Sequence, residues 1–469
     1  MPGLSSGIHI ALQAVLAHAQ TIEVIEHNVA NANTPGYRRQ SALLETTMPS
    51  PILAAHNGMG AGMRGGGVKV AQIQRFNLEF FDGRYRSVAA GANYWEAQRD
   101  ILLQVEATLA ETSQAGLLNK LDQFWNGWQN LASDPANLSL RMSLLDDTRA
   151  LAESFNRRWN QLQHIRSDQN QAVISQVEQI NSYADEVARL NREIMRVLSV
   201  GEQPNDLLDR RDVLLDRLAE MSGAVSHAGK NGEALVSIGG QVLVVGVQAL
   251  HLTTRPKSGD TPMVEVVWKD GNPPQSVNLP NGSLKGILEV RDSIIPAQIN
   301  GLNQLAGELI SQVNTLHGGG YGLNNAHALP LFLGADASSM RLNSSVDAAS
   351  LAAADAPSQA GNNALASAIA SLRHLKLAGI GNNTLNDFYN GQVTAFGVMT
   401  QNASRNSQTH GLVANALNDQ RESVGGVSLD EEAANLAKAQ RAYQAAARVL
   451  TAYDEMLDRV INGMGLVGR

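Results

Sequence analysis

The sequence predicts a mainly α-helical protein into which a small β-rich domain is inserted. Apolar residues near both termini recur at alternating steps of four and three, and most of the interior follows the same helical period. The period changes between residues 223 and 280, where short runs rich in Val and Leu alternate with turns. This order predicts nested, discontinuous domains. They are a terminal helical domain (1–45 plus 426–469), a helical bundle (46–222 plus 281–425) and the β-rich insert (223–280).

The N-terminal segment is predicted to form one long amphipathic helix. Ser5 or Ser6 is expected to cap its start, and Pro35-Gly36 is expected to end it. One side of this helix carries an apolar seam of the kind found in coiled coils. The seam positions are Ile8, Ala11, Val15, Ile22, Ile25 and Val29.

The C-terminal segment predicts a second helix of the same kind, with a capping box formed by Ser428 and Glu431 at its start. Neither terminal helix has a neighbour in sequence that could cover its seam. We therefore expect the two helices to form a coiled-coil-like pair with each other or to pack against other copies of the chain. The C-terminal seam positions are Leu429, Ala433, Leu436, Gln440, Tyr443, Ala447, Leu450, Leu457 and Ile461.

Most of the interior is also predicted to be helical. Short strands are expected in the insert, at residues 233–252 and 263–268. Residues 334–363 are rich in Ala, Ser, Asn and Asp, so we expect a loosely ordered connection there. Helices are expected at residues 91–131 (two helices around Gly116), 138–200, 205–221, 292–317 and 385–422.

The composition argues against several classes of function. The 469 residues include 36 Lys plus Arg and 44 Asp plus Glu, which gives a net charge of −8. A net negative chain without a basic run lacks the phosphate-neutralising surface that nucleic-acid binding requires. Cysteine is absent, which excludes disulfides, thiolate zinc sites and cysteine nucleophiles.

Neither a cleaved signal peptide nor a membrane span is expected. The first basic residue is Arg38, and polar residues interrupt the segment before it, whereas a secretory signal requires a basic start and an unbroken apolar stretch. The longest apolar run, residues 242–247, is far shorter than the ~18 residues of a spanning helix. We therefore expect a chain that does not insert into a membrane and that, if exported, leaves the cell uncut.

Short matches to catalytic motifs lack the context that those motifs need. Residues 60–65 match the dinucleotide pattern G-x-G-x-x-G, but further glycines and a strand follow, so a flexible loop is expected. Residues 3–7 match a hydrolase nucleophile elbow and residues 317–320 a lipase oxyanion loop, but no strand precedes the elbow. No histidines lie at the close spacing of zinc ligands. We expect no catalytic residue, no cofactor and no metal.

The end of the N-terminal helix carries a distinctive run of residues. Asn31 and Asn33 suit a helix end, where their side chains can bond to free backbone carbonyls. Pro35 ends the helix, Gly36 permits the turn and Tyr37 starts an extended segment. This run is either an ordinary helix stop or a fixed exit required because many copies pack around one axis. The residues of this candidate assembly motif are Asn31, Asn33, Thr34, Pro35, Gly36 and Tyr37.

Both terminal motifs resemble those of a known family. Residues 28–37 (NVANANTPGY) resemble the N-terminal signature of the bacterial flagellar axial proteins, which comprise rod, hook and hook-associated proteins. Residues 426–436 (GVSLDEEAANL) and 439–450 (AQRAYQAAARVL) resemble the C-terminal signature. Residues 204–215 and 282–292 favour the hook-associated branch known as FlgK over the hook protein, whose middle is largely β, and over the shorter rod proteins.

The resemblance implies a structural role without catalysis: a ring or tube of identical copies at the hook–filament junction, with the terminal helices lining a channel. The implied partners are further copies of the chain, the flagellar hook protein, hook-associated protein 3 and an export chaperone on the C-terminal helix. The resemblance also implies type III export without signal cleavage and an extracellular position. It weakens over residues 334–383, where larger members carry an extra outer domain, so we expect that domain to be absent and the insert to be outermost.

Other functions remain open at this point. The nearest is a flagellar hook or rod subunit, which shares the terminal motifs. A cytosolic coiled-coil scaffold is a different class, and stably helical termini in a discrete dimer would favour it. A hydrolase with Ser5 as its nucleophile is a remote alternative, which ester turnover abolished by Ser5→Ala would support.

Overall fold

The computed structural model describes residues 2–48, 50–51, 63–109, 116–271 and 273–463. Within these ranges, ten α-helices dominate the chain. A π-helical turn at Val290–Ile294 joins the sixth helix to the seventh, and another at Arg459–Gly463 follows the tenth. The helices are α1 (Pro2–Ala30), α2 (Glu79–Leu109), α3 (Leu117–Ser133), α4 (Leu138–Ser199), α5 (Asn205–Ser222), α6 (Ser283–Glu289), α7 (Ile295–Gly318), α8 (Ala364–Ser371), α9 (Leu385–Gly425) and α10 (Leu429–Asp458).

The strands are short and all their pairings are antiparallel. They form four two-stranded sheets, which pair β1 with β4, β2 with β3, β9 with β10 and β11 with β12, and one four-stranded meander of β5 to β8. The strands are β1 (Gln40–Thr46), β2 (Ser50–Pro51), β3 (Met63–Arg64), β4 (Val68–Arg75), β5 (Val225–Ala228), β6 (Ala234–Ile238), β7 (Gln241–Val245), β8 (Gln248–Ala249), β9 (Leu252–Pro256), β10 (Val264–Trp268), β11 (Phe332–Leu333) and β12 (Arg341–Leu342).

The two terminal helices pack along each other, as predicted. The ring of Tyr453 on α10 covers Gly7 of α1 so closely that an added Cβ at Gly7 would lie 2.4 Å from a ring carbon. Ser428 caps the start of α10, because its Oγ accepts the backbone N–H of Glu431 at 3.5 Å. The Glu431 carboxylate, which the predicted capping box would direct back to Ser428, instead lies 3.0 Å from Arg39. α1 also packs on β1 and β4, so the hairpin that they form connects the helix pair to the rest of the chain.

The body of the molecule contains two buried hydrophobic clusters, and the 62-residue α4 runs through both. The first cluster surrounds Trp125 and Trp128 of α3 and includes buried residues of α7 and α8. The second joins the later part of α4 to α2, α5, α6 and the strands between β6 and β10. The inserted strands therefore share a core with α4.

Two asparagines of α4 fasten the inserted strands through the strand backbone. Asn181 accepts the N–H of Leu252 and donates to its carbonyl oxygen, both at 2.8 Å. Asn191 makes the same pair of bonds with Ala234, both at 2.9 Å. A side-chain amide carries a donor and an acceptor side by side, so each asparagine takes the place of a neighbouring strand.

The expectation of a loosely ordered connection at residues 334–363 was wrong. This stretch packs against the first cluster, and its Ala352 and Ala353 are buried. The fully buried Arg141 of α4 donates to the carbonyl oxygen of Leu351 at 2.5 Å. Asp347 accepts the backbone N–H groups of the residues two and three positions later, at 3.1 and 2.7 Å. The polar composition thus builds Asx turns that fold the segment onto the core, because a short carboxylate satisfies the backbone without a helix or strand.

Several predicted boundaries also differ from the structure. α1 begins at Pro2, so Ser5 and Ser6 lie inside the helix and do not cap it. α2 begins at Glu79 instead of residue 91, and the helix expected from residue 292 begins at Ser283, because the π turn keeps the chain helical through that point. Of the glycine-rich run at 60–65, residues 60–62 lie outside the described ranges, and Met63–Arg64 forms β3.

One described helix is long and apolar enough, by length and composition, to cross a membrane. It is α1 between residues 5 and 30, with a mean hydropathy of 1.3. This helix contains no long unbroken apolar run, which is why it was not predicted as a possible span: scattered polar residues interrupt it without lowering its mean hydropathy far. Only 22% of the most apolar window is buried inside the chain. The rest of this window is therefore partly buried or exposed in the single chain.

Candidate assembly site

Asn28 lies in the last turn of α1, is fully buried and uses all the hydrogen-bonding capacity of its side chain. Its Oδ1 accepts the hydroxyl of Tyr37 at 2.7 Å and the N–H of Gln40 at 2.9 Å. Its Nδ2 donates to the carbonyl oxygen of Gln40 at 2.8 Å and to Glu432 Oε2 at 3.0 Å. This one side chain ties together the end of α1, the start of β1 and the first turn of α10. We call residues 28–40 the N-terminal turn.

The predicted motif residues lie in the N-terminal turn. Asn31 Nδ2 donates to the carbonyl oxygen of His27 at 3.0 Å, the bond expected at a helix end. Thr34 Oγ1 donates in turn to Asn31 Oδ1 at 3.1 Å. Asn33, to which the same capping role was assigned, has an exposed side chain, and so has Pro35. The turn is therefore held by Asn31 and Thr34 on its polar side.

Gly36 has a left-handed backbone conformation, with φ of +80°, and sits directly on α5. A Cβ at this position would lie 2.2 Å from Cγ2 of Val213, so both the backbone angle and the close approach require glycine. The N–H of Arg38 then donates to Asp209 Oδ2, also on α5, at 2.9 Å. α5 is the platform on which the N-terminal turn rests.

Arg39 connects the N-terminal turn to the link between α9 and α10. Its N–H donates to the carbonyl oxygen of Gly425 at 2.8 Å, and its own carbonyl accepts the N–H of Phe76 at 2.9 Å. Its guanidinium lies 3.0 Å from a carboxylate oxygen of Glu431 and 2.8 Å from one of Glu432. The first strand after α1 and the first turn of α10 are therefore held by the same residue.

Burial and neighbouring carboxylates shift the pKa of two groups around the turn. Burial raises the pKa of the Tyr37 hydroxyl, and the charges of Asp206 and Asp209 raise it further, so this hydroxyl keeps the proton that it donates. Burial also raises the pKa of Asp209 to about 6, against the opposing effect of Arg75. At neutral pH the Asp209 carboxylate is therefore ionised.

On α1, the predicted seam is divided between buried and exposed positions. Ala11 and Ile25 are buried, Val29 is 42% exposed, and the other three seam residues are partly buried. Leu12 and Leu16, outside the predicted seam, are 41% and 52% exposed. The helix thus keeps an uncovered apolar surface after it has paired with α10.

On α10, more than half of the predicted seam is exposed. The buried residues of this helix are Glu432 and Ala439, neither of which was predicted to lie on the seam. The exposed seam positions are Leu429, Ala433, Gln440 and Tyr443, together with Ile461 in the π turn that follows α10. The partly buried seam positions are Leu436, Ala447, Leu450 and Leu457.

Comparison with known proteins gives consistent matches along the chain. A family described as "Flagellar hook-associated protein FlgK helical domain" matches residues 102–332, and "Flagellar basal body rod FlgEFG protein C-terminal" matches residues 423–463. Flagellar hook-associated protein 1 of Bacillus subtilis (strain 168) is 30% identical over 501 aligned residues, which cover 99% of each chain. The chain belongs to the flagellar hook-associated protein 1 family.

Other relatives and a solved structure agree with this membership. Flagellar hook-associated protein 1 of Escherichia coli (strain K12) is 25% identical over 555 aligned residues, covering 98% of this chain and 100% of the relative. The flagellar hook junction protein FlgK from Burkholderia pseudomallei matches with a TM-score of 0.65 at 15% identity, over 73% of this chain and 100% of that one. The solved structure shows the fold alone. It confirms the predicted mainly α-helical class with small β elements.

The residues that hold the candidate assembly motif in place were not predicted from the sequence. Asn28 and Glu432 were noted only as members of longer motifs, yet they bind each other across 404 positions of sequence. In the sequence, Asn28 could have been noticed as a polar residue near the end of the predicted N-terminal helix. For Asp209, which receives the N–H of Arg38 from 171 positions away, the local sequence carries no such signal.

Other candidate sites raised by the sequence have structural explanations. In the part of the chain that the structure describes, no group of three or more His, Asp or Glu residues is placed to hold a metal ion. His317, which the hydrolase alternative invoked, is buried between backbone groups. Its Nδ1 donates to the carbonyl oxygen of Leu329 at 2.6 Å, and its Nε2 accepts the N–H of Ala352 at 3.0 Å. Both ring nitrogens are thus engaged in packing the segment that follows α7.

Proposed function

We propose that this chain is a structural subunit of the bacterial flagellum at the junction between hook and filament, and that it polymerises through α1 and α10. The observation that carries the proposal is the uncovered apolar surface of the terminal helix pair. Large apolar residues on both helices remain exposed after the helices have packed together. They are Leu12, Leu16, Val29, Leu429, Tyr443, Val449, Met456 and Ile461.

Eight large apolar residues exposed on one helix pair and its C-terminal turn favour a protein partner, because large exposed apolar patches on soluble proteins mark interaction sites. In a ring of identical copies, every α1 and every α10 has the same neighbours. The exposed apolar surface of each subunit is then covered, except where the ring meets another protein. The N-terminal turn gives each copy the same exit angle, since Asn28, Gly36 and Arg39 fix it to α5 and α10. In this proposal, other copies cover the apolar side of α1, in place of lipid.

The proposal extends to partners and location. Within the flagellum, the ring meets the hook protein on one side and hook-associated protein 3 on the other. Before assembly, an export chaperone covers the apolar side of α10, and the chain leaves through the type III pathway without cleavage of a signal peptide. The role requires no catalytic group and no cofactor, so we propose that the chain is not an enzyme.

Deletion of the gene tests the proposal directly. Cells without the chain are expected to build hooks, to lack filaments and to shed flagellin into the medium. Absence of hooks would instead favour the alternative of a rod or hook subunit. Normal filaments and motility would overturn the flagellar assignment and favour a cytosolic scaffold.

A further inference from the structure

One face of α5 carries three aspartates that organise arginines from four other segments. Asp209, Asp212 and Asp216 are spaced by three and four residues, so they lie on the same side of the helix. The fourth aspartate of the cluster is Asp82 of α2. The cations are Arg38 of the N-terminal turn, Arg75 of β4, Arg86 of α2 and Arg421 near the end of α9.

The half of this cluster near the N-terminal turn is continuous. Arg75 Nε lies 2.6 Å from Asp209 Oδ1, and another nitrogen of Arg75 pairs with Asp212. Asp209 also accepts the backbone N–H of Arg38 at 2.9 Å, and the Arg38 guanidinium lies 3.5 Å from Asp82.

The remaining ion pairs of the cluster lie near the end of α9. Arg86 lies 3.1 Å from Asp212 and 2.7 Å from Asp216. Arg421 lies 2.7 Å from Asp216 and 3.5 Å from Asp82, with its guanidinium stacked over the ring of Tyr85 at 4.2 Å. The Arg38 guanidinium also pairs with Glu422 of α9 at 3.3 Å. Four arginines and four aspartates thus alternate in a closed ring, in which the backbone N–H of Arg38 makes the link to Asp209 and ion pairs make the other links. We call it the ion-pair ring.

The ion-pair ring is buried and lies next to both terminal segments. None of its eight side chains is more than 20% exposed. Arg38 lies just after α1, whereas Arg421 lies four residues before Gly425, where α9 ends and the link to α10 begins. The ring therefore contacts both terminal segments at the points where they join the helical body.

We propose that the ion-pair ring is a latch that fixes the angle of the α1–α10 pair on the helical body and makes both terminal segments respond together. Burying charges costs so much desolvation that such a cluster adds little stability over well-packed apolar residues. What the cluster adds is a fixed orientation of the segments that it joins, because a guanidinium pairs with carboxylates only in defined planar geometries. The inference goes beyond assembly at the junction and holds for the single chain.

The test uses spin-label distances, since the absence of cysteine allows labels to be placed at will. One label pair joins Arg192→Cys on α4 to Gln20→Cys on α1, and a second joins Arg192→Cys to Ala437→Cys on α10; all three positions are exposed. Distances are measured by double electron–electron resonance on the full-length chain near neutral pH. The substitution is Asp216→Asn, which cuts the ring at a residue that does not touch the N-terminal turn.

Asp216→Asn is expected to broaden both distance distributions by about twofold or more, because opening one link frees the whole ring. The matched control is Asp146→Asn, which breaks an exposed pair with Arg149 elsewhere on α4 and should change neither distribution. Unchanged distributions in the ring variant, or broadening of the α10 distance alone, would overturn the latch.

A second variant guards against simple unfolding. Arg86→Lys keeps the positive charge but loses the planar fork that reaches two carboxylates. It is expected to broaden both distributions as well, whereas a purely electrostatic role would leave them narrow and so contradict the proposal. Tryptophan fluorescence, to which the buried Trp125 and Trp128 of the first hydrophobic cluster contribute, reports whether the body remains folded in each variant.

Discussion

Asn28 joins three parts of the chain, and its contribution follows from its burial. The side chain is fully buried, and its amide is bonded to Tyr37, Gln40 and Glu432. Its removal leaves these buried groups without a partner and without access to water. The cost of such unpaired groups exceeds the net value of the bonds themselves.

Asn28→Ala is therefore expected to lower the free energy of unfolding by about 3 kcal/mol. The matched control is Asn33→Ala, the same change five residues later at an exposed position, which should shift it by less than about 0.5 kcal/mol. Urea denaturation followed by circular dichroism measures both values. Equal effects of the two variants would contradict the central role assigned to Asn28.

His317 predicts how stability depends on pH. Burial lowers the pKa of this imidazole below its usual 6.5, so the folded state keeps it neutral at a pH where the unfolded chain binds a proton. Its contribution to stability is thus complete above pH 6.5 and is lost as the pH falls below it.

Comparison of the wild type with His317→Gln tests this sign. Between about pH 7.5 and about pH 5.5, the wild type should lose up to about 1.4 kcal/mol more per pH unit than the variant. The control His374→Gln, at an exposed histidine, should change the free energy of unfolding at neutral pH by less than about 0.5 kcal/mol. Parallel curves for wild type and His317→Gln would show that His317 does not titrate differently in the two states.

At the scale of elements, the sequence predicted what local periodicity controls. The long helices α4, α9 and α10 and the strands of the insert follow from apolar spacing and turn residues. The hairpin of β1 and β4 was not predicted as a pair, because 21 residues separate the two strands and their position is fixed by distant elements, α1 and α5. The ion-pair ring was not predicted either, since its members come from positions between 38 and 421.

The pairing of α1 with α10 predicts how each helix behaves without the other. A lone amphipathic helix gains most of its stability from burying its apolar face. Removal of residues 426–469 should therefore lower the helical signal in circular dichroism by more than the 30 residues of α10 account for. Amide hydrogens of α1 should also lose their protection from exchange.

A shorter deletion provides the control for this experiment. Removal of residues 459–469 leaves α10 intact and should leave the exchange of α1 unchanged. If the amides of α1 stay protected in the long deletion, then β1 and β4 alone hold the helix and the pair is not cooperative.

At the scale of the whole molecule, two hydrophobic clusters share α4, and the ion-pair ring links α2, α5 and α9 to the N-terminal turn. The proposed division into a terminal domain, a helical bundle and an insert places the polar latch at the first boundary. The second boundary has a different chemistry, since the insert shares apolar side chains and asparagine bonds with α4. The terminal pair is thus held on the bundle by directional polar contacts, whereas the insert is held by apolar packing and backbone hydrogen bonds.

The assembly surface can be tested without disturbing the fold. Leu16 on α1 is 52% exposed, so Leu16→Glu should change the free energy of unfolding of the isolated chain by less than about 0.5 kcal/mol. In a strain that lacks the natural gene, this variant is expected to fail to restore filaments and swimming, because a charge would be buried against the neighbouring copy.

Leu412→Glu is the matched control for this test, since Leu412 on α9 is 64% exposed but lies outside the terminal pair. This variant is expected to restore swimming as the wild type does. The comparison separates an assembly surface from a general intolerance of charge on exposed leucines. Swimming restored by Leu16→Glu would mean that this side of α1 stays open to water in the flagellum, and polymerisation would then have to use the outer residues of α10 alone.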